Sequence, residues 1–311
     1  MNSIPAIEVA NLTKYYGDIL AADHISFCVS KGELFGFLGP NGAGKTTTVR
    51  ILTGIIKADE GSATVMGLPA GTLQARQIAG IVPEQANAYP DLSAWNNLML
   101  MIELYGVSGM EGKRRAEALL KELGLYGRKD DLVKRFSRGM KQRLILCMAL
   151  VSDPQILFLD EPTTGLDVQS TRLIRTMLRN LKQAGKTILL TTHDMEEANE
   201  LCDRVAIINH GKIAAIDDPE KLRITVNRLH SVEVSFDKPV ATEGLSELPT
   251  VNKVEKLGDS FRLYTDDPCS VVASVVDYTR ANSLVMVALH VLSPSLEDAF
   301  VKLTEGKTYG S

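Results

Sequence analysis

The sequence predicts two domains, an α/β domain over residues 1–222 and a small α+β domain over residues 223–311. Before residue 222, short apolar segments typical of buried strands alternate with helical patterns, as in a sheet with several parallel strands. One of these apolar segments runs directly into a glycine-rich turn that opens a helix. Beyond residue 222 the strand patterns follow one another more closely, which is typical of an α+β domain.

The elements of the first domain are predicted from its apolar segments in chain order. A turn at residues 15–18 separates the first two strands, and the third strand leads through the glycines into a helix that reaches residue 52. The later strands are short and continuously apolar, so they are expected to be buried. The strand patterns lie at residues 7–12, 24–29, 34–38, 156–159 and 187–192.

A helical region is predicted between these early and late strands. Ser93 is a plausible N-cap, and residues 111–123 form an amphipathic, charge-rich helix that Gly124 ends. Another helix follows Ser137.

The second domain is predicted to have the element order β-β-β-α-β-α. Residues 232–236 alternate as an exposed strand does, and residues 251–265 contain two strands around a turn at Gly258. A helix at 270–281, a strand at 284–291 and a helix at 295–303 complete the domain.

Composition excludes several classes of protein. The 34 basic and 38 acidic residues give a formal charge of −4, without the basic surplus expected of a nucleic-acid-binding protein. Hydrophobic residues at 45% and charged residues at 23% exclude a mostly disordered, collagenous or disulfide-scaffold chain. The cysteines have no zinc-site spacing, so we expect reduced, buried thiols. They are Cys28, Cys147, Cys202 and Cys269.

No segment is predicted to cross a membrane or to direct secretion. The best apolar run, residues 144–151, is far shorter than the about 20 residues that a spanning helix needs. Residues 1–10 lack a basic stretch followed by an apolar one. The chain is therefore expected to stay where it is made and to serve a membrane only through a partner.

The glycine-rich turn after the third strand matches the phosphate-binding loop pattern, Gly39-x4-Gly44-Lys-Thr. Its glycines let backbone N–H groups turn inward, and the following helix presents its positive end to an anion. Lys45 would reach the β- and γ-phosphates, and the Thr46 hydroxyl would bind Mg²⁺. The loop alone leaves open a kinase, a GTPase or a transport ATPase. The nucleotide-binding residues predicted here are Asn41, Gly42, Ala43, Gly44, Lys45, Thr46 and Thr47.

Two acidic residues, Asp160 and Glu161, follow the apolar strand at 156–159. In a phosphate-loop fold the first acid holds Mg²⁺ through water, and the second can polarise the attacking water. Without a phosphate loop, the same pair would be interpreted as the cap of the next helix.

With these motifs in this order, the chain resembles the ATP-binding cassette family, the motor subunits of ABC transporters. The similarity covers residues 4–220 and implies a mixed-sheet core with a helical subdomain at about residues 86–150. The further segments look like the family's adenine-stacking aromatic, Q-loop, signature, D-loop and switch histidine. They are Tyr16 and residues 82–85, 136–143, 162–167 and 192–194.

The resemblance implies a role for each matching side chain. Tyr16 would stack on adenine, and Gln85 would contact Mg²⁺ or the attacking water and report occupancy to a membrane partner. Glu161 would act as the base, and His193 would contact the γ-phosphate and hold the water in line. Asp167 would cross an interface between two subunits. Outside this pattern, each would be interpreted as a structural loop, core or turn residue.

The resemblance also implies two cassettes packed head to tail, with Ser137 and Gly139 of one chain facing the ATP of the other. We expect a homodimer because one chain holds every motif, and the sequence leaves a heterodimer open. Ser137 would bond the γ-phosphate from a helix N-terminus. The signature departs from the family pattern, since Phe136, Arg138 and Met140 replace leucine, glycine and glutamine. Arg138 either strains a backbone suited to glycine or adds a cation near the phosphates, and the sequence leaves both open.

Two further segments bear on the partner. Residues 292–304 resemble the closing segment of cassettes from exporters of drugs, polyketides and sodium, which have ABC-2-type membrane subunits. By itself this segment is an amphipathic terminal helix. Residues 86–105 are either a core helix or a docking groove for a cytoplasmic helix of the membrane subunit.

The sequence therefore predicts an ATPase that powers a membrane exporter from the cytoplasmic face of the cell membrane, with ATP and Mg²⁺ as cofactors. Its expected partners are ABC-2-type permease subunits and a second ATP-binding subunit, with no nucleic acid. The alternative is a soluble cassette ATPase acting on ribosomes or nucleic acid, although such relatives usually carry two cassettes, a coiled-coil insertion or zinc-binding cysteines. A non-hydrolysing nucleotide sensor is a third possibility, suggested only by Arg138.

Overall fold

The computed structural model describes residues 4–85, 88–226, 230–292 and 295–305. The chain divides into two compact units, Met1–Pro219 and Glu220–Ser311. Residues 293–294 of the predicted closing segment and residues 86–87 of the predicted docking stretch lie outside the described residues.

The structure confirms the bounds of the buried apolar strands, but the first strand runs to Tyr16 instead of residue 12 and the second begins at Ile19 instead of residue 24, so the predicted turn at 15–18 is too long. The predicted strands at 34–38 and 187–192 are confirmed with the same bounds, and the strand ending at Asp160 is also confirmed. The strands are β1 (Ile7–Tyr16), β2 (Ile19–Val29), β3 (Leu34–Leu38), β4 (Glu60–Val65), β5 (Leu68–Pro69), β6 (Ala79–Val82), β7 (Ile156–Asp160), β8 (Thr187–Thr192), β9 (Arg204–Asn209) and β10 (Lys212–Asp217).

The described strands of this unit form two sheets. One has the order β2-β1-β4-β5 and is antiparallel throughout. The other has the order β10-β9-β3-β8-β7-β6, in which every neighbouring pair is parallel except β10 with β9. The predicted α/β class with a mixed-sheet core is confirmed. Because parallel strands end at the same edge, the segments that follow β3, β6, β7 and β8 emerge together.

Helices separate the parallel strands. The helices of the first unit are α1 (Lys45–Leu52), α2 (Leu73–Gln77), α3 (Ala94–Leu104), α4 (Gly109–Glu122), α5 (Arg138–Leu150), α6 (Val168–Gln183) and α7 (Met195–Leu201). Ser93 caps α3 by accepting a hydrogen bond from the Asn96 amide at 3.1 Å, and Gly124 ends the α4 region in a left-handed conformation with φ +66°. Both predicted helix boundaries are therefore confirmed. Within the described ranges, no helix combines the length and the apolar character needed to span a bilayer.

One core joins the two sheets of the first unit. Phe27 of β2 stacks on Phe35 of β3 with ring centroids 5.5 Å apart, and Phe37 lies 5.1 Å from Phe27. Val49 and Leu52 of α1 pack into the same buried cluster. Apolar contacts of α1 with this core therefore fix the helix that follows the glycine-rich loop, and its N-terminus lies at the sheet edge.

The second unit is a smaller α+β body. Its described strands have the order β12-β13-β11-β14 and are antiparallel throughout. The unit contains α8 (Pro219–Val226, which begins at the unit boundary), β11 (His230–Phe236), α9 (Thr242–Ser246), β12 (Lys253–Leu257), β13 (Ser260–Thr265), α10 (Pro268–Ala281), β14 (Met286–Leu292) and α11 (Leu296–Glu305). The short helix α9 interrupts the predicted succession of strands.

The expectation that residues 232–236 form an exposed strand is wrong for one face. Val232 and Val234 are fully buried, because β11 is a central strand and Val271 and Val275 of α10 pack into the same cluster. The alternation of apolar and polar residues predicted the strand correctly, but it did not predict that the apolar side chains on one face are fully buried.

The buried core of the first unit predicts a clear stability effect. Leu189 lies in β8 at 0% exposure, so Leu189→Ala should lower the free energy of unfolding by about 2–5 kcal/mol through lost burial and a cavity. Urea unfolding followed by circular dichroism measures the change. Ile19→Ala is the control, because Ile19 is 69% exposed and its loss should change stability by about 0.5 kcal/mol or less. Equal effects of the two variants would contradict the described packing.

Candidate active site

The glycine-rich loop connects β3 to α1 and has room only for glycine at two positions. A side chain at Gly39 would collide with the Ile208 carbonyl, and one at Gly44 with the Ala21 carbonyl. Gly44 also has φ +105°, which L side chains rarely adopt. The structure gives the amides of Lys45, Thr46 and Thr47 no acceptor within the described ranges. These first-turn donors form a site suited to an anion.

Lys45 lies across the loop instead of extending into solvent. Its ammonium donates to the Gly39 carbonyl at 2.6 Å and to the Pro40 carbonyl at 3.1 Å. The same nitrogen lies 3.2 Å from Glu161 Oε1, and both side chains are about 95% buried. The loop therefore carries a buried cation beside a carboxylate at the end of β7.

Asp160 and Thr46 offer oxygen ligands at this edge. Asp160 Oδ1 accepts hydrogen bonds from the Thr46 hydroxyl at 3.1 Å and from the Thr191 hydroxyl at 2.5 Å. The described residues contain no cluster of three or more His, Cys, Asp or Glu side chains that could hold a metal by themselves. A hydroxyl and one carboxylate fit Mg²⁺, which binds few protein oxygens and takes its other ligands from phosphates and water. Such an ion would supply charge neutralisation at the phosphates.

Glu161 is held in a strained but well-contacted conformation. Its φ is +50°, which is uncommon for a residue other than glycine. Its amide donates to the Thr191 carbonyl and hydroxyl, each at 3.1 Å. Its Oε2 atom accepts from the Thr164 hydroxyl at 2.7 Å and lies 2.6 Å from His193 Nδ1. These contacts fix the carboxylate at the mouth of the loop.

The surroundings of Glu161 favour its ionised form. Burial raises the pKa of this carboxyl, but the Thr164 hydroxyl, the Lys45 ammonium and His193 outweigh burial and hold the pKa below its ordinary value. A carboxylate that is ionised at neutral pH and fixed near the loop can orient water or accept its proton.

The structure brings some of the other predicted residues to this site and not others. His193 follows β8 and contacts Glu161, with its side chain 46% exposed. Gln85 lies beyond β6 at the same sheet edge but is exposed, and no described residue hydrogen-bonds its side chain. Tyr16 ends β1 at 44% exposure, with Lys14 Nζ 5.9 Å from its ring centroid. The roles of Gln85 and Tyr16 remain predictions.

Ser137, Gly139 and Asp167 form a second cluster at the N-termini of α5 and α6. Ser137 caps α5 by accepting from the Met140 amide at 3.3 Å, and Asp167 caps α6 by accepting from the Ser170 amide at 2.8 Å. A side chain at Gly139 would collide with the Ser170 hydroxyl and approach Asp167 Oδ2 to 2.8 Å. Within the described ranges, this cluster makes no hydrogen bond to the glycine-rich loop. The role of this cluster at an ATP site remains a prediction.

Sequence reasoning missed Thr191 and the side chain of Thr164. Thr191 bonds both Asp160 and the backbone of Glu161, and Thr164 bonds the Glu161 carboxylate. The signal for Thr191 was a pair of threonines at the carboxyl end of a strand with an apolar centre, where neighbouring parallel strands also end.

Comparison with known sequences identifies close likenesses over nearly the whole chain. The family model described as ABC transporter matches residues 22–164. The chain is 38% identical to a Nod factor export ATP-binding protein I of Ralstonia nicotianae, with 98% of this chain and 95% of the relative covered. It is 37% identical to a linearmycin resistance ATP-binding protein of Bacillus subtilis, with coverage of 97% and 99%.

Solved structures of ATP-binding cassettes match about 70% of the chain. An ATP-binding subunit of an ABC transporter, 29% identical, matches with a TM-score of 0.66 over 71% of this chain and 92% of that chain. A dimeric ATP-binding cassette in a post-hydrolysis state with ADP and Pi, 28% identical, matches with a TM-score of 0.63 over 68% and 98%.

The loop geometry predicts that Gly44→Ala weakens nucleotide binding. The added methyl group would meet the Ala21 carbonyl at a backbone conformation that alanine rarely adopts, so the first-turn amides would move. Titration with a fluorescent ATP analogue should show a loss of affinity between about fivefold and about 150-fold, because one strained residue costs about 1–3 kcal/mol. Gly109→Ala is the control, because a side chain there meets open space. Unchanged affinity in Gly44→Ala would contradict the assigned anion site.

Proposed function

Because the chain belongs to the ABC transporter family, we propose that it binds and hydrolyses ATP to power export through separate membrane-spanning subunits. The observation that carries the proposal is the Glu161 carboxylate, held between the loop ammonium of Lys45 and His193. Family membership supports ATP as the nucleotide. The names of the relatives over the full chain length support export.

We assign phosphate binding to the glycine-rich loop and Mg²⁺ binding to the sheet edge on the basis of their contacts. The amides of the loop and Lys45 bind the phosphates, and Thr46 and Asp160 hold Mg²⁺, with Gln85 as a further candidate contact. The full set of loop residues assigned to nucleotide is Asn41, Gly42, Ala43, Gly44, Lys45, Thr46 and Thr47.

Glu161 accepts a proton from the attacking water, because its low pKa keeps it ionised and its position keeps it at the loop. His193 orients this carboxylate and contacts the γ-phosphate. Tyr16, an exposed ring at the end of β1, stacks on adenine.

Two chains complete two sites in our proposal. Ser137, Gly139 and Asp167 contact one another's helix N-termini rather than the described loop residues of their own chain, and we assign them to the ATP of a second subunit. The dimeric, post-hydrolysis state of a related cassette supports this arrangement. ATP drives closure only to the extent that it binds the closed dimer more tightly than the open chains.

The membrane partner is proposed to be an ABC-2-type permease, which holds the chain at the cytoplasmic face of the cell membrane. The closing segment and the export names of the relatives support this choice. Residues 1–222 would then form the ATP-binding domain, and residues 223–311 an accessory domain. The soluble ribosome- or nucleic-acid-acting alternative has no comparable support.

Replacement of Glu161 tests the ATPase chemistry. Glu161→Gln keeps the size and the hydrogen bond with Thr164 but cannot accept a proton, so Mg-ATP hydrolysis should fall by about 100-fold or more while ATP binding persists. Steady-state phosphate release and an ATP titration measure the two properties.

A matched variant separates this effect from a general charge effect. Glu196→Gln changes an exposed glutamate after the same sheet edge and should leave turnover near that of the wild type. Substantial Mg-ATP hydrolysis by Glu161→Gln would refute the role given to Glu161.

Affinity capture from detergent-solubilised membranes tests the transporter assignment. The tagged chain should co-purify with a protein predicted to have several spanning helices, identified by mass spectrometry, and capture should fail from cells that lack that protein's gene. Recovery only from the soluble fraction with ribosomal or DNA-repair proteins would overturn the exporter assignment and leave the ATPase chemistry standing.

A further inference from the structure

Arg138 replaces the glycine that is usual in the signature. Its observed position fits neither alternative that the sequence left open, a strained backbone or a cation near the phosphates. The residue lies in the first turn of α5 with an ordinary helical backbone, so it carries no left-handed strain. Its guanidinium turns back onto its own chain, where Nη2 donates to the Thr164 carbonyl at 2.8 Å. We infer that Arg138 is a positioning residue, which holds Thr164 so that the Thr164 hydroxyl orients the Glu161 carboxylate.

The Arg138 guanidinium packs against the segment that follows Glu161. A side chain at Gly165 would lie 2.5 Å from Arg138 Nη1 and 2.8 Å from its Cζ atom, so the arginine packs directly on the backbone at this glycine. Gly165 also has φ +69°, a conformation that suits glycine. The planar guanidinium can pack flat against the glycine backbone, whereas the compact ammonium of a lysine would pack there less well.

Thr164 makes three hydrogen bonds, one with Arg138 and two with Glu161. Its carbonyl receives the Arg138 hydrogen bond, and its hydroxyl donates to Glu161 Oε2 at 2.7 Å. Its amide donates to the Glu161 carbonyl at 3.3 Å, which closes the turn between the two residues. A displacement of Thr164 therefore moves the group that holds one oxygen of Glu161.

This contact joins the two parts of the site within one chain. Arg138 stands between Ser137 and Gly139, which the proposed function assigns to the partner's ATP, whereas Glu161 serves the ATP of its own chain. If that proposed function holds, the signature of this chain directly affects ATP hydrolysis at the glycine-rich loop of the same chain. The effect acts on the turnover step rather than on the initial binding of ATP.

Steady-state kinetics provide the first test. Arg138→Ala should lower kcat about fivefold, the size expected when one solvent-exposed hydrogen bond is lost from a positioning contact, with KM for ATP changed less than about twofold. Arg138→Lys should recover part of the loss, because it keeps a donor without the planar fork. Arg135→Ala is the matched control, since Arg135 is an exposed arginine at the end of the short 3-10 helix Val133–Arg135. A loss in KM alone would overturn the inference and favour a cation acting on phosphate.

A double-mutant comparison tests the route through Thr164. Thr164→Val removes the hydroxyl that orients Glu161, so adding Arg138→Ala should cause little further loss of kcat. Losses that multiply in the double variant would show that Arg138 acts by a separate route and would overturn the inference.

Hydrogen–deuterium exchange gives a readout that does not require turnover. In the wild-type chain without nucleotide, amides in residues 161–167 should exchange more slowly than in Arg138→Ala, and Arg135→Ala should match the wild type. Equal exchange in Arg138→Ala would overturn the inference even if the chain proves to be an active ATPase. Slower wild-type exchange without any ATPase activity would instead overturn the proposed function and retain the positioning contact.

Discussion

The buried ion pair between Lys45 and Glu161 is the constraint on which the rest of the site depends. Both charges lie in the low-dielectric edge of the sheet, where an unpaired charge is costly and removal of one partner leaves the other uncompensated. Each charge is further satisfied by polar contacts, Lys45 by loop carbonyls and Glu161 by Thr164 and His193. The pair connects the loop after β3 to the end of β7, so two segments distant in sequence form one site.

The parallel sheet explains why this pair can form at all. β3, β7 and β8 are neighbours that end at one edge, which brings the glycine-rich loop, the acidic pair and His193 together without long connecting loops. The turn from Glu161 to Asp167 then connects the end of β7 to the N-terminus of α6, which lies beside the N-terminus of α5. Glu161 contacts the loop at one end of this turn, and Asp167 belongs to the second cluster at the other end. The same turn therefore links the two groups of residues within one chain.

Sequence patterns predicted the elements whose local signals agree with their final environment. Continuously apolar segments gave β3 and β8 with the observed bounds, and Ser93 and Ser137 marked helix starts with side-chain caps. No strand was predicted at β4, because its residues, which include Gly61, Ser62 and Ala63, have little intrinsic preference for a strand and are extended by pairing with β1. The buried face of β11 was missed because a helix from later in the chain covers it.

The sequence by itself determined the chemistry that is available, since the order of the glycine loop, the acidic pair and the histidine specifies residue types that suit phosphate and water. Only the tertiary structure decided which of these groups touch. It paired Lys45 with Glu161, added Thr191 and Thr164 as supports, left Gln85 exposed, and directed Arg138 to the turn after Glu161. The physical reason is that hydrogen bonds and ion pairs act over a few ångströms. Those separations are set by sheet order and helix packing, which residues more than a hundred positions apart fix together.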